Sequence, residues 1–276
     1  MRLKLGIRGH DVPGAPFESI DEFIKEYKQF DLEYLQLVYK KAFKGFEMEP
    51  HFLLELADKL KDNDIKVAMI GAYFNMIHPD DNKRIDGIEY FKQCMETAAV
   101  FDCEVVGSET GSANGDKWTY NPYNHTEEAF NRVVDTVRGL KAYGRNFSAR
   151  PIIEGAYAHT VHTPEQLKEL VDKTEIRDVT IDVYNFLNID NYQEADAIFD
   201  RSLELFGDLI KVFHVKDFNV VEGKLVQCGI GQGIMNWKYF IPRIIKECPN
   251  ATLILEGVTG KDIQPSIEFI RSLENE

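Results

Sequence analysis

The sequence predicts an α/β protein that forms a single closed (β/α)8 barrel, and three observations support this fold class. Short apolar segments alternate with amphipathic helical patterns along the chain, and eight such pairs follow one another. Eight pairs in 276 residues give about 35 residues per pair, which is typical of such a barrel. No low-complexity segment or linker interrupts the chain, so residues 1–276 are predicted to be one domain.

The predicted strands are apolar on both faces, as in Val179-Thr180-Ile181 and Leu253-Ile254-Leu255. Strands of this kind need cover on both sides, which a parallel sheet flanked by helices provides. The main alternative is an open doubly wound sheet, which a glycine-rich fingerprint after the first strand would favour. The segment Gly6-Ile7-Arg8-Gly9-His10 does not provide that fingerprint, so the closed barrel is preferred.

The elements are predicted in order along the chain. The strands are residues 3–7, 32–38, 66–70, 104–108, 151–154, 179–182, 211–215 and 252–256. The helices that follow them are residues 19–29, 50–61, 82–101, 126–143, 164–172, 192–206, 237–247 and 262–273. Two helix starts carry a capping box, Ser19 with Glu22 and Thr163 with Gln166, and Pro164 stands at a first helical position.

Composition and charge exclude several classes of partner. The formal net charge of −14 repels phosphate backbones and anionic lipids, so neither nucleic acid nor a membrane surface is expected as a partner. A phosphorylated sugar stays open, because a local pocket can be basic while the surface is acidic. The four cysteines show no C-x-x-C spacing, and the N-terminal residues show no apolar signal-peptide region, so a cytoplasmic location is expected.

Three carboxylates and one histidine stand at the downstream ends of the last four predicted strands: Glu154, Asp182, His214 and Glu256. Parallel strands in a barrel end at one rim, and neighbouring strands are about 4.8 Å apart, so these side chains can reach a common point. Three carboxylates and one imidazole suit Mn²⁺, Co²⁺ or Mg²⁺ better than a structural zinc. Each residue alone has an ordinary alternative, as a helix cap, a loop ion pair or a core histidine. Their joint placement favours a site for one divalent metal ion.

Three further residues near these strand ends are candidates for binding substrate. Glu109 ends the fourth strand, Asn185 follows Asp182 by three residues, and Lys216 lies on the same strand face as His214. Each has an alternative: a loop residue for Glu109, a cap for Asn185, and a pair with Asp217 or Glu256 for Lys216. Glycines in the loop Gly229-Ile230-Gly231-Gln232-Gly233 would let backbone amides come close to a phosphate group of a ligand. A requirement for tight turns explains these glycines equally well.

Taken together, these motifs resemble the sugar phosphate isomerase/epimerase superfamily, the xylose isomerase-like TIM barrels. The resemblance spans nearly the whole chain. It rests on Ile153-Glu154, Ile181-Asp182 with Asn185, His214-Val215-Lys216-Asp217, the glycine loop followed by Asn236-Trp237, and Leu255-Glu256-Gly257.

The resemblance implies a single Mn²⁺-like ion held by Glu154, Asp182, His214 and Glu256, with Co²⁺, Mg²⁺ and Zn²⁺ as alternatives. In epimerases of this group the two glutamates also form the acid/base pair, which implies a metal-dependent isomerase or epimerase that moves a proton next to a carbonyl through an enediolate. The implied substrate is a small sugar, sugar phosphate or cyclitol. A dehydratase of an inosose-like substrate and a non-catalytic sugar-binding barrel are the alternatives, and a homo-oligomer stays open.

Two departures from the group's pattern bear on the assignment. Ketose epimerases usually carry a histidine where Asn185 stands. Endonuclease IV, another member of the group, needs an Asp-x-His before the glycine loop, and this chain has Val226-Gln227-Cys228 there. A three-zinc nuclease is therefore not expected.

Overall fold

A computed structural model describes residues 2–275 and confirms the predicted α/β barrel. Eight parallel strands close into a barrel, in the order β1, β10, β7, β6, β5, β4, β3, β2. The strands are β1 Lys4–Arg8, β2 Tyr34–Leu37, β3 Lys66–Gly71, β4 Val105–Glu109, β5 Arg150–Glu154, β6 Val179–Ile181, β7 Ile210–Val215, β8 Asp217–Val221, β9 Lys224–Cys228 and β10 Thr252–Leu255. The helices are α1 Ile20–Tyr27, α2 Tyr39–Ala42, α3 Pro50–Asp62, α4 Asp81–Thr97, α5 Glu127–Gly144, α6 Pro164–Thr174, α7 Ala195–Phe206, α8 Trp237–Glu247 and α9 Ile263–Ser272.

The eight predicted strands and eight predicted helices are all present, with bounds shifted by a few residues at most. The capping boxes explain two of the helix starts. The Ser19 hydroxyl accepts from the Glu22 amide, and the Thr163 hydroxyl accepts from the Gln166 amide, each at 3.2 Å. That residues 1–276 form one domain stays a prediction, and its end residues Met1 and Glu276 lie outside the described part of the chain.

The prediction missed the short helix α2 and an antiparallel hairpin made of the strands β8 and β9. The hairpin turn consists of Glu222 and Gly223, both at positive φ (49° and 72°). Two residues at positive φ make the tight turn whose twist matches that of a two-stranded ribbon, and glycine adopts this conformation without strain.

The chain forms two compact units. The first contains β1, β2, β10, residues 212–215 of β7 and the hairpin. Within it, Arg8 is in register with Gln36, Ile7 with Leu255, and His214 with Ile254. Because side chains alternate along a strand, this register turns Arg8, Gln36, His214 and Glu256 to the same face of these four strands.

The second unit contains β4, β5 and β6 with α4 to α7. Glu109 is in register with Glu154, and Glu154 with Thr180. Asp182 follows Thr180 by two residues and therefore points to the same side as Thr180. Among residues 2–275, no helix is long and apolar enough to cross a bilayer.

Candidate metal centre

In the first unit, His214 is oriented by a glutamine from the second strand. The His214 ring is almost fully buried, and its Nε2 lies 2.7 Å from Oε1 of the buried Gln36. The carboxamide oxygen can only accept, so we assign the proton of the neutral ring to Nε2. Nδ1 then carries the lone pair, which is the form of histidine that binds a metal.

The two oxygens of Glu256 have different neighbours. Oε1 lies 2.8 Å from Lys216 Nζ and 2.8 Å from Arg8 Nη1. Oε2 lies 2.9 Å from His214 Nδ1. Burial alone would raise the pKa of Glu256, but the positive charges of Lys216 and Arg8, together with the contact to His214, outweigh it and hold this pKa well below its usual value. Glu256 is therefore a carboxylate.

In the second unit, Asn185 joins three carboxylates. Its Nδ2 donates to Glu154 Oε1 at 2.6 Å and to Glu109 Oε1 at 3.3 Å, and its backbone N–H donates to Asp182 Oδ1 at 3.2 Å. Glu109 Oε1 also lies 3.8 Å from Nδ1 of the buried His159. Asn185 is thus well placed to fix the orientation of Glu154 and Asp182. This role differs from the substrate contact that the sequence suggested for it.

The four residues expected at the strand ends come together. Glu154, Asp182, His214 and Glu256 each offer one ligand atom, and these atoms all lie within 4.8 Å of one another. Three of the four are buried, and buried carboxylates are tolerated only when positive charge or hydrogen bonds compensate them. A lone pair on His214 Nδ1 facing a carboxylate oxygen is repulsive unless a proton or a cation stands between them. The donor set therefore fits a divalent cation, and binding of such an ion stays a prediction.

In the glycine loop, the amides of Gly231 and Gly233 are bound by a protein carboxylate. Gly231 N and Gly233 N donate to Asp217 Oδ2 at 2.8 and 3.1 Å, and Met235 N donates to Asp217 Oδ1 at 3.0 Å. A Cβ on Gly233 would lie 2.1 Å from Asp217 Oδ1, so a side chain there would collide with the carboxylate that organises the loop. The amides of Gly231 and Gly233 cap a buried aspartate, and Lys216 pairs with Glu256.

Three polar residues of the rim were missed by the sequence analysis: Arg8, Asp11 and Gln36. They belong to the first two strands and the loop after β1, far in sequence from the four ligand candidates. A signal was present, because Arg8 and Gln36 each stand near the downstream end of a predicted strand. The same rule that singled out Glu154 also applies to them.

His10, in the loop after β1, is another titratable group of this rim. Burial lowers the pKa of His10 to about 4, and the positive charges of Arg8 and Lys41 act in the same direction, against Asp11 and Glu256. His10 is therefore neutral at physiological pH.

The fold and this cluster define a (β/α)8 barrel with a candidate metal site at the strand ends. The xylose isomerase-like TIM barrel family matches residues 24–273, and the chain belongs to that family. A comparison with curated protein sequences finds no match.

Solved structures of similar fold include an epimerase, a probable dehydratase and a zinc-bound protein. The 3-keto-D-glucoside 4-epimerase YcjR from E. coli is 13% identical, with 100% of each chain covered and a TM-score of 0.75. The probable 3-DHS dehydratase AsbF, involved in petrobactin synthesis in Bacillus anthracis, is 14% identical, with 99% of each chain covered and a TM-score of 0.74. The IolI protein with a bound zinc atom is 17% identical, with 99% of this chain and 95% of that one covered, and a TM-score of 0.72.

Proposed function

We propose that this protein is a metal-dependent isomerase or epimerase that transfers a proton next to the carbonyl of a small polyhydroxylated substrate. The observation that carries the proposal is the cluster of four ligand atoms within 4.8 Å of one another at Glu154, Asp182, His214 and Glu256. Membership of the family and the likeness to an epimerase support it. We expect the substrate to be a sugar, sugar phosphate or cyclitol.

A divalent ion held by these four residues would supply Lewis-acid polarisation of the substrate carbonyl, which lowers the free energy of an enediolate. Mn²⁺ is our first choice of ion, with Co²⁺, Mg²⁺ and Zn²⁺ as the alternatives.

Glu154 and Glu256 are the proposed acid and base. Glu154 receives a hydrogen bond from the neutral amide of Asn185, whereas Glu256 contacts two cations, Lys216 and Arg8. A carboxylate beside a neutral donor keeps more of its proton affinity than one beside two positive charges. We assign Glu154 to remove the proton from carbon, and Glu256 to return one after it has taken up a proton from solvent. Lys216 and Glu109 flank these two carboxylates and are the proposed contacts to substrate hydroxyl or carbonyl oxygens.

The test is solvent deuterium exchange with a panel of ketoses and cyclitol ketones in D₂O, with Mn²⁺, Co²⁺, Mg²⁺ or Zn²⁺ added. We expect deuterium at the carbon next to the carbonyl for at least one substrate. Glu154→Gln and Glu256→Gln should each reduce exchange by at least about 100-fold, within the range of general acid–base catalysis. Glu247→Gln, an exposed substitution on α8, is the control and should leave exchange unchanged. Absence of exchange across the panel and every metal would refute the proposal.

The likeness to a dehydratase favours a second candidate, the elimination of water from an inosose-like substrate. In that reaction one glutamate removes the proton next to the carbonyl, and the other, once protonated by solvent, donates its proton to the hydroxyl that leaves as water. Mass spectrometry of the same panel separates the two, because dehydration removes one water from the substrate and isomerisation leaves its mass unchanged.

A further inference from the structure

Arg8, the last residue of β1, contacts two carboxylates at once. Its Nε and Nη2 lie 2.7 Å from Asp11 Oδ2 and 3.0 Å from Asp11 Oδ1, and its third nitrogen, Nη1, lies 2.8 Å from Glu256 Oε1. A guanidinium group is planar and holds its N–H groups in a fixed fork. Once two nitrogens are bound to Asp11, the direction of the third is therefore fixed.

Asp11 is also attached to the backbone beside Glu256. Its Oδ2 accepts the N–H of Gly257 at 2.9 Å. Asp11, Arg8, Glu256 and Gly257 therefore form a closed ring of contacts, which restrains both the backbone and the side chain of Glu256. Asp11 is buried and Arg8 is largely buried, so water competes poorly for these contacts.

We propose that Arg8 and Asp11 are positioning residues that decide which oxygen of Glu256 is presented to the metal. With Oε1 held by Arg8, Oε2 is the oxygen that faces His214 Nδ1. Lys216 also contacts Oε1, but an ammonium group on a flexible chain supplies charge without direction. Lys216 and Arg8 therefore both place positive charge beside Oε1, whereas the orientation of the Glu256 carboxylate is set by Arg8 and Asp11. This inference rests on the proposed function only in taking Glu256 as a metal ligand.

The test measures binding of Co²⁺ alone to metal-free protein, because the visible spectrum of Co²⁺ reports both its affinity and its ligands. Arg8→Met and Arg8→Lys should each weaken Co²⁺ binding by roughly 10- to 100-fold, as loss of an outer contact to a ligand typically does. Asp11→Asn should weaken it by a smaller factor and alter the spectrum in the same way. If Arg8→Lys retains the affinity of the native protein, charge and not orientation is what matters, and the proposal is wrong.

A double-mutant cycle separates positioning from a general structural effect. If Arg8 acts through Glu256, Arg8→Met should change Co²⁺ affinity by less than about twofold once Glu256 is already Gln. Equal losses in both backgrounds would mean that Arg8 acts independently of Glu256, against the proposal.

Arg150 is a matched control at the start of β5. It makes a similar pair with Asp178, with Nε 2.5 Å from Oδ2, and neither residue contacts any of the four ligand candidates in the hydrogen bonds and ion pairs described for this chain. Arg150→Met should lower thermal stability while leaving Co²⁺ affinity unchanged. Equal weakening of Co²⁺ binding by Arg150→Met and Arg8→Met would count against positioning.

These measurements do not require catalytic turnover. The positioning role can therefore be refuted independently of the proposed function. Absence of deuterium exchange with normal, Arg8-dependent Co²⁺ binding would remove the proposed reaction and keep the positioning role. Absence of Co²⁺ binding to the native protein would remove both.

Discussion

The hydrogen bond from His214 to Gln36 should control metal affinity, and Gln36→Leu tests it. Leucine is close to glutamine in volume, so the buried site on β2 stays filled while the acceptor is lost. The Nε2–H group of His214 would then be a buried donor facing an apolar side chain, which costs roughly 1–3 kcal/mol. The ring can avoid this cost by moving its proton to Nδ1 or by rotating, and in both cases the lone pair no longer faces the ligand cluster.

The expected result is a loss of Co²⁺ affinity of roughly 10- to 100-fold, the usual consequence of removing a partner of a metal-bound histidine. That loss corresponds to about 1.4–2.8 kcal/mol. Affinity is measured by competition with a chelator, and the histidine tautomer by ¹⁵N NMR of the metal-free protein. Gln36→Glu keeps an acceptor at the same position and should retain most of the affinity. Native affinity in Gln36→Leu, with Nδ1 still unprotonated, would refute this account of His214.

Two further predictions concern the rest of the rim. Asp217→Asn turns an amide group toward the N–H groups of Gly231 and Gly233, so the unfolding free energy measured with denaturant should fall by about 2–4 kcal/mol. Asp262→Asn, in the same region but half-buried, should change it by no more than about 0.5 kcal/mol. A similar effect of both changes would mean that Asp217 does not organise the loop. For His10 the folded-state pKa of about 4 lies below the unfolded value of about 6.5, so the unfolded chain takes up the proton first. The stability of the native protein should therefore fall as pH drops from about 6.5 to 4, and His10→Gln should flatten that fall; identical pH profiles would show that His10 does not titrate in this way.

The strands and helices were predictable because their signals are local. The apolar segment 252–256 and the helix at residues 237–247 have the required periodicity in the sequence itself, and the structure places β10 at Thr252–Leu255 and α8 at Trp237–Glu247. The hairpin of β8 and β9 was missed because only Asp217 and Phe218 at the start of β8 are buried, so its strands show no repeated apolar face. Its turn also depends on positive φ at Glu222 as well as at Gly223.

At the rim, the ligand candidates were predictable from local sequence, whereas their contact partners were not. Residue type and strand-end position identified Glu154, Asp182, His214 and Glu256, because parallel strands of a barrel must end on one side. The partners of these residues were not predictable in the same way. The amide of Asn185 and the ε-ammonium of Lys216 each fit either a protein carboxylate or a substrate, and the sequence does not distinguish the two.

By itself, the sequence determined the fold class, the order of the elements and the residue types at the rim, since each depends on periodicity within a short segment. The tertiary structure decided which atoms meet. His214 contacts Gln36 across 178 residues, and Gly257 contacts Asp11 across 246. Such pairs depend on strand register around the barrel, and a register is a property of two segments together, which neither segment encodes alone.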